Sequence, residues 1–468
     1  ILIAIFLGAT IFADAFFVAF RLPNTFRRLF AEGTFNAAFI PSYTSAKFNN
    51  KNKGKIFADD VLSLLILILA FIVTIGEIFT PYLVYLIAPG FLEDDIKFNL
   101  AVEFTRITFP FLMLVSLSSF FSGVLNSNNK FAAASAAPII LNVVLIFTIL
   151  FSYFQNLNIA KQLSYGVTFA GIIQLIFLIW ATSKYYKPKI KLKFKISTKV
   201  KFFFKKLLPS ILSSGVTQIN ILVGTIIASF QAGAVSYLYY ADRVYQINLA
   251  IAGIAVSTVS LPALSKAFKL KNNLKLSNIQ NKSIELTLLL SIPASLGLVI
   301  ASHEIINGLF GYGSFSEEDV KNTSNALIFF GYGVVAFALV KILANFFFAR
   351  DNTRTPFYIS SFIVVTNVII SLSFFNVIGF LIIPLATSIS TWIGVLIYFY
   401  LLRKQNYLLL KSRLILNSLK IIASTLVMSI TLIYLIKRYG NYLEYNYVYK
   451  SIYLIIIVGF TGIVYLLS

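Results

Sequence analysis

The sequence predicts an all-α polytopic membrane protein with about fourteen transmembrane helices, arranged as two six-helix lobes with a pseudo-two-fold repeat and two extra C-terminal helices. Three observations predict it. Hydrophobic residues fill 58% of the 468 positions and charged residues only 12%, whereas a soluble domain carries about 25% charge. Basic residues gather in alternate loops between the apolar runs. Landmark residues recur in the two halves of the chain.

A spanning helix needs about 20 mostly apolar residues, and the chain divides on that measure. It opens at Ile1 inside an apolar stretch, without Met or a basic leader region. Residues 1–8 therefore read as the end of a first span whose earlier part is missing, not as a signal peptide. Spans two to four cover residues 11–46, 56–88 and 97–127, long enough to require tilt, kinks or extension beyond the bilayer. Pro23 and Pro110 supply kinks there. Spans five and six are 131–153, with Pro138, and 163–184. Span seven is 199–230, with Pro209, and span eight is 233–267. Spans nine and ten are 281–310, with Pro293, and 319–349. Spans eleven to fourteen are 355–379, opened by Pro356, then 381–403, 412–437 and 446–468.

The net charge is +22, from 39 Lys and Arg against 17 Asp and Glu. In a soluble protein this excess points to nucleic acid; between apolar runs it marks the cytoplasmic side instead, so no nucleic-acid partner is expected. Lys47, Lys51, Lys53 and Lys55 follow span two, and Lys266, Lys269, Lys271 and Lys275 follow span eight. Arg350 and Arg354 follow span ten, and Arg403, Lys404, Lys411 and Arg413 follow span twelve. The run from Lys184 to Lys201 after span six holds eight lysines and no acid. The odd loops are short or acidic, as with Glu93, Asp94 and Asp95 or Glu317, Glu318 and Asp319. The positive-inside rule then puts even loops and both termini in the cytoplasm. The loop with Lys437, Arg438 and Lys450 fits this less well.

Pro41 near the end of span two matches Pro262 near the end of span eight, each within a similar run of Ser, Ala, Lys and Phe. Asn142 in span five matches Asn367 in span eleven at a similar offset. The expected domains are an N-lobe (1–184), a basic linker (185–198), a C-lobe (199–404) and a C-terminal pair (405–468). Two lobes of parallel repeat leave a cleft that can open alternately to either side.

Charge inside a span is costly and usually works in a cavity. Span two holds Asp14, Arg21, Arg27, Arg28 and Glu32, and span eight holds Asp242 and Arg243. Arginine suits a phosphate because its planar fork donates two parallel hydrogen bonds and keeps its charge when desolvated. Several arginines on one cleft read as a receptor for a diphosphate; snorkelling, or pairing of Arg27 and Arg28 with Glu32, is the plainer alternative. Arg106, Lys341 and Glu285 serve equally well as structural pairs or cavity groups. His303, the one histidine, reads with Glu304 as a solvated pair. Gln218, Asn220 and Asn367 bring no carboxylate, so no sodium site is assigned. The chain has no cysteine, so disulfides and thiolate metal sites are excluded, and no cofactor is assigned.

The run from Ala13 through Asp14, Phe16, Phe17, Arg21, Leu22, Pro23 and Asn24 to Arg27, Arg28, Glu32 and Gly33 resembles the signature of the MurJ (MviN) family of lipid II flippases. Further matches are Ala88-Pro89-Gly90-Phe91, Tyr239-Tyr240-Ala241-Asp242-Arg243 and Leu261-Pro262-Ala263-Leu264-Ser265-Lys266, so the resemblance covers essentially the whole chain. It implies a MATE-like fold of the multidrug/oligosaccharidyl-lipid/polysaccharide exporter superfamily, and no enzymatic activity. The implied role is export of the undecaprenyl-pyrophosphate-linked peptidoglycan precursor across the cell inner membrane, with membrane lipids and cell-wall synthesis proteins as further partners. The family's functional cavity arginines fall by motif on Arg27 and Arg243, with Asp14 the matching acid; Arg28, Glu32 and Asp242 join them as candidate site residues. Where the family often has an acid one turn after the span-eight arginine, this chain has Gln246. The family's first-helix arginine motif precedes the position of Ile1. The last two spans resemble the family's extra pair, which is expected to cradle the lipid tail.

Other readings are a different polysaccharide-lipid flippase, a MATE-type drug/cation antiporter and a membrane-embedded glycosyltransferase. Drug antiporters favour intramembrane acids over arginines. A glycosyltransferase needs positioned carboxylates or a metal-binding acid cluster, which the short outer loops at 93–95 and 317–319 do not supply with partners.

Overall fold

The computed structural model describes residues 1–31, 34–49, 51–190, 198–408 and 410–468, and every regular element among them is helical. Glu32 and residues 191–197 of the lysine-rich linker lie outside the described residues. The contacts divide the chain into two compact units: residues 10–232 with Leu2, and residues 233–468 with Ile1 and residues 3–9.

The first unit contains α2 (Ile11–Ala31), α3 (Thr34–Asn49), α4 (Lys51–Ile78), α5 (Thr80–Ile87), α6 (Asp95–Thr108), α7 (Phe111–Ser127), α8 (Phe131–Phe154), α9 (Ile159–Thr182) and α10 (Thr198–Ala228); α1 (Leu2–Leu7) precedes them. Its core is aromatic. Phe39 stands 5.1 Å from the Phe120 ring and 6.1 Å from that of Phe203, and Phe35, Tyr43 and Phe57 close the cluster. Through Phe203, α10 packs on α3, although the sequence assigns it to the second lobe.

The second unit contains α11 (Ala234–Leu249), α12 (Val256–Lys269), α13 (Asn273–Ile300), α14 (Ser302–Phe310), α15 (Glu317–Gly331), α16 (Val334–Phe348), α17 (Arg354–Ile378), α18 (Ile382–Lys404), α19 (Ser412–Tyr439) and α20 (Lys450–Leu467). A π-helical turn, Ala250–Ala255, joins α11 to α12. Ile342, Leu343, Phe346, Phe347 and Tyr398 form the core of this unit. The Lys450 ammonium, buried at the start of α20, donates to Asn307 Oδ1 at 3.0 Å and to the carbonyls of Gly311 and Tyr445, both at 2.5 Å.

Nine helical stretches among the described residues are long and apolar enough to span a membrane, or ten with the α15–α16 pair, which bends by 41°. One stretch, Arg354–Lys404, contains two helices, α17 and α18. Two of the long expected spans, 56–88 and 97–127, are broken next to a proline. The α4–α5 break precedes Pro81, and the α6–α7 break falls at Phe109–Pro110. Lys51, Lys53 and Lys55 open α4 instead of lying in a loop, which extends that helix past its apolar stretch.

The repeat is visible in hydrogen bonds. Asp59 Oδ1 on α4 accepts from the Lys189 backbone N–H at 3.0 Å, and Asn281 Oδ1 on α13 accepts from that of Lys411 at 3.0 Å. The two acceptors and the two donors are the same number of residues apart. In each unit one side chain thus clamps the segment that leaves the bundle.

Candidate functional site

The charged face of α2 begins with Asp14, which is fully buried. Lys97 Nζ on α6 meets its Oδ2 at 2.6 Å and lies 4.2 Å from the Phe91 ring centroid. A buried pair needs such geometry, because the attraction must offset desolvation of both charges. The lysine stands two residues beyond the acidic loop in sequence, and that isolated position is the signal by which Asp14's partner could have been found.

Phe91 is held by a tight turn, Pro89–Glu93. There the Gly90 N–H donates to Ser229 Oγ at 3.0 Å. A Cβ at Gly90 would stand 2.5 Å from the backbone of Ser229 and Phe230, so only glycine allows the turn to dock on the end of α10. The Ala88-Pro89-Gly90-Phe91 motif thereby supports the ion pair under α2.

Further along α2, Asp14, Arg21 and Arg28 recur every seven residues and share one stripe of the helix. Arg27 is half-buried, and its Nε donates to Asn24 Oδ1 at 3.0 Å. Arg28 is also half-buried.

In the second unit, Arg243 stacks over the Tyr239 ring at 4.6 Å. Its Nη2 lies 4.0 Å from Asp242 Oδ2, the outer limit of an ion pair, and its Nε is buried with no hydrogen-bond partner among the described residues. Asp242 instead accepts a short bond from Gln246 Nε2. Gln246 thus draws the acid away from the arginine. Tyr240 points elsewhere, donating to the Gly8 carbonyl at 2.8 Å. Gly8 has φ of +58°, and a Cβ there would lie 2.2 Å from the Ser314 carbonyl.

The remaining candidates scatter. Arg106, Lys341 and His303 are exposed. Glu285 accepts from Asn417 at 2.9 Å, bridging α13 and α19. Asn142 is exposed, whereas its repeat partner Asn367 is buried and accepts from Ser371 at 3.4 Å.

The family profile described as "Lipid II flippase MurJ" matches residues 3–455. The chain belongs to the MurJ lipid II flippase family. The probable lipid II flippase MurJ of Rickettsia prowazekii (strain Madrid E) is 39% identical over 466 residues, 98% of this chain and 89% of the relative. The lipid II flippase MurJ of Burkholderia cenocepacia (strain ATCC BAA-245 / DSM 16553 / LMG 16656 / NCTC 13227 / J2315 / CF5610) is 32% identical over 413 residues, 86% of this chain and 80% of the relative. Among solved structures, a lipid II flippase MurJ in an inward closed conformation superposes with a TM-score of 0.84 at 26% identity, covering 100% of this chain and 94% of that one. An inward-facing MATE family transporter of the MOP superfamily superposes with a TM-score of 0.69 at 15% identity, covering 86% of this chain and 96% of that one, and shows the shared fold. Members of the MurJ family are membrane transporters and not enzymes, so the glycosyltransferase reading falls.

Proposed function

We propose that the protein carries lipid II, the undecaprenyl-pyrophosphate-linked disaccharide-pentapeptide, from the inner to the outer leaflet by alternating access. Arg27, Arg28 and Arg243 bind the pyrophosphate, while Asp14 anchors α2 through Lys97 and Asp242 lies beside Arg243 at the same site. The observation that carries this reading is Arg243: a guanidinium inside a span, stacked on Tyr239, with a buried Nε that no group among the described residues satisfies. A desolvated donor of this kind is costly unless an anion completes it. Family membership supports the substrate. The exposed apolar faces of α19 and α20 support a groove for the polyprenyl tail. Even loops and both termini lie in the cytoplasm under this reading.

The test is depletion of the host flippase and complementation with wild type, Arg27→Ala or Arg243→Ala, scoring lipid II exposed to an external probe. Wild type restores exposure, and each variant reduces it by at least tenfold at normal protein level, as loss of a charge-assisted bond of about 1.5–3 kcal/mol requires. Variants as active as wild type would make these arginines structural. A wild type that exposes no lipid II would overturn the substrate.

A further inference from the structure

The membrane end of α8 and α9 carries a charged concavity, about 600 Å³ in volume and confined to the first unit. Lys130 and Lys184 line it with Asn129, Phe131, Trp180 and Tyr185, and no acidic residue takes part. Phe131 begins one spanning stretch and Thr182 ends the next, so the concavity lies at the membrane–water boundary. Trp180 is 73% exposed and Phe131 58% exposed, both large apolar surfaces at the depth where aromatic rings meet lipid headgroups. It lies at the start of the lysine-rich linker, and no arginine lines it.

We infer that this concavity binds the headgroup of an anionic phospholipid, with the phosphate between Lys130 and Lys184 and the acyl chains against Phe131 and Trp180. Charge complementarity selects the occupant. Two cations without an acid, at the interface and above exposed aromatic surface, fit a lipid phosphate better than a zwitterionic headgroup, whose own cation would meet both lysines. The volume falls in the range of small-molecule sites, about 300–1,000 Å³. The assignment to the inner leaflet rests on the orientation proposed above; the binding itself does not. The bound lipid would fasten the α7–α8 turn to the start of the linker between the lobes.

The experiment titrates the purified full-length protein in detergent with dioleoylphosphatidylglycerol or dioleoylphosphatidylcholine and counts bound lipid by native mass spectrometry. Wild type prefers phosphatidylglycerol. With about 1 kcal/mol per basic residue near an anionic surface, K130Q or K184Q weakens that preference about fivefold and the double variant about 25-fold. K161Q, at the opposite end of α9 where Lys161 pairs with Glu103, leaves it unchanged. W180A weakens both lipids alike. Absence of a preference in wild type, or its survival in K130Q/K184Q at wild-type thermal stability, overturns the site. Because the chain has no cysteine, N129C labelled from one side of sealed vesicles reads the leaflet separately. Labelling from outside removes the orientation and leaves the lipid site standing.

Discussion

Asp14 and Arg243 lie in spans for opposite reasons. The Asp14 carboxylate has a buried lysine partner, whereas Arg243 keeps a buried Nε without one. Asp14→Asn leaves Lys97 buried without its counter-charge, a cost of about 3–5 kcal/mol, and should lower the thermal midpoint sharply. Asp14→Asn with Lys97→Met should recover most of that loss. If transport recovers with stability, Asp14 acts by positioning α2; if stability returns and transport does not, the carboxylate meets the substrate. Gly90→Ala forces a Cβ to 2.5 Å from the α10 backbone, so it should destabilise by about 1–3 kcal/mol as overpacking does. Burial, and then the 2.6 Å bond to Asp59, hold the Tyr186 hydroxyl above its ordinary range. A group whose folded pKa is raised contributes stability below its unfolded pKa, about 10, and loses it as the pH rises through the folded value. The wild-type thermal midpoint should therefore not change on this account between pH 7 and 9, while Tyr186→Phe should lower it by an amount independent of pH in that window.

Elements show what a linear reading can reach. The helices were legible because apolar runs and prolines are local properties. The breaks inside the long spans were legible where proline marked them, as at Pro110; the bend between α15 and α16 has no proline and falls at Gly331-Tyr332-Gly333, a weaker local signal. Pairing in the repeat was legible from Pro41 and Pro262, but the clamps at Asp59 and Asn281 were not, because each joins residues more than a hundred positions apart. Their equivalence predicts that Asp59→Ala and Asn281→Ala act alike. Each frees one backbone N–H and should cost about 1–2 kcal/mol, with more for Asp59→Ala, which also strands the Tyr186 hydroxyl. Limited proteolysis next to Lys189 and Lys411 would read the loosened segments; equal protection in wild type and both variants would refute the clamps.

For the whole molecule, the proposed orientation makes transport respond to the membrane potential. A headgroup with about two negative charges leaving a negative interior gains about 2.3 kcal/mol per charge for each 100 mV. Proteoliposomes under potassium diffusion potentials of either sign should move lipid II faster when the side bearing the lysine-rich loops is negative. A rate indifferent to sign would place the limiting step in a motion that carries no net charge across the membrane.

The sequence by itself determined the membrane class, the order of the helices, the repeat and, through the run from Asp14 to Arg28, the family; all of these are written in local composition or in contiguous motifs. The tertiary structure alone decided that Asp14 is neutralised by Lys97, that Gln246 holds Asp242 away from Arg243, and that α10 packs with the first unit through Phe203. The physical reason is distance along the chain. Hydropathy and helix periodicity are set by neighbours within a few turns. A buried charge takes its character from whichever group the fold brings to it, and Lys97 comes from 83 residues away.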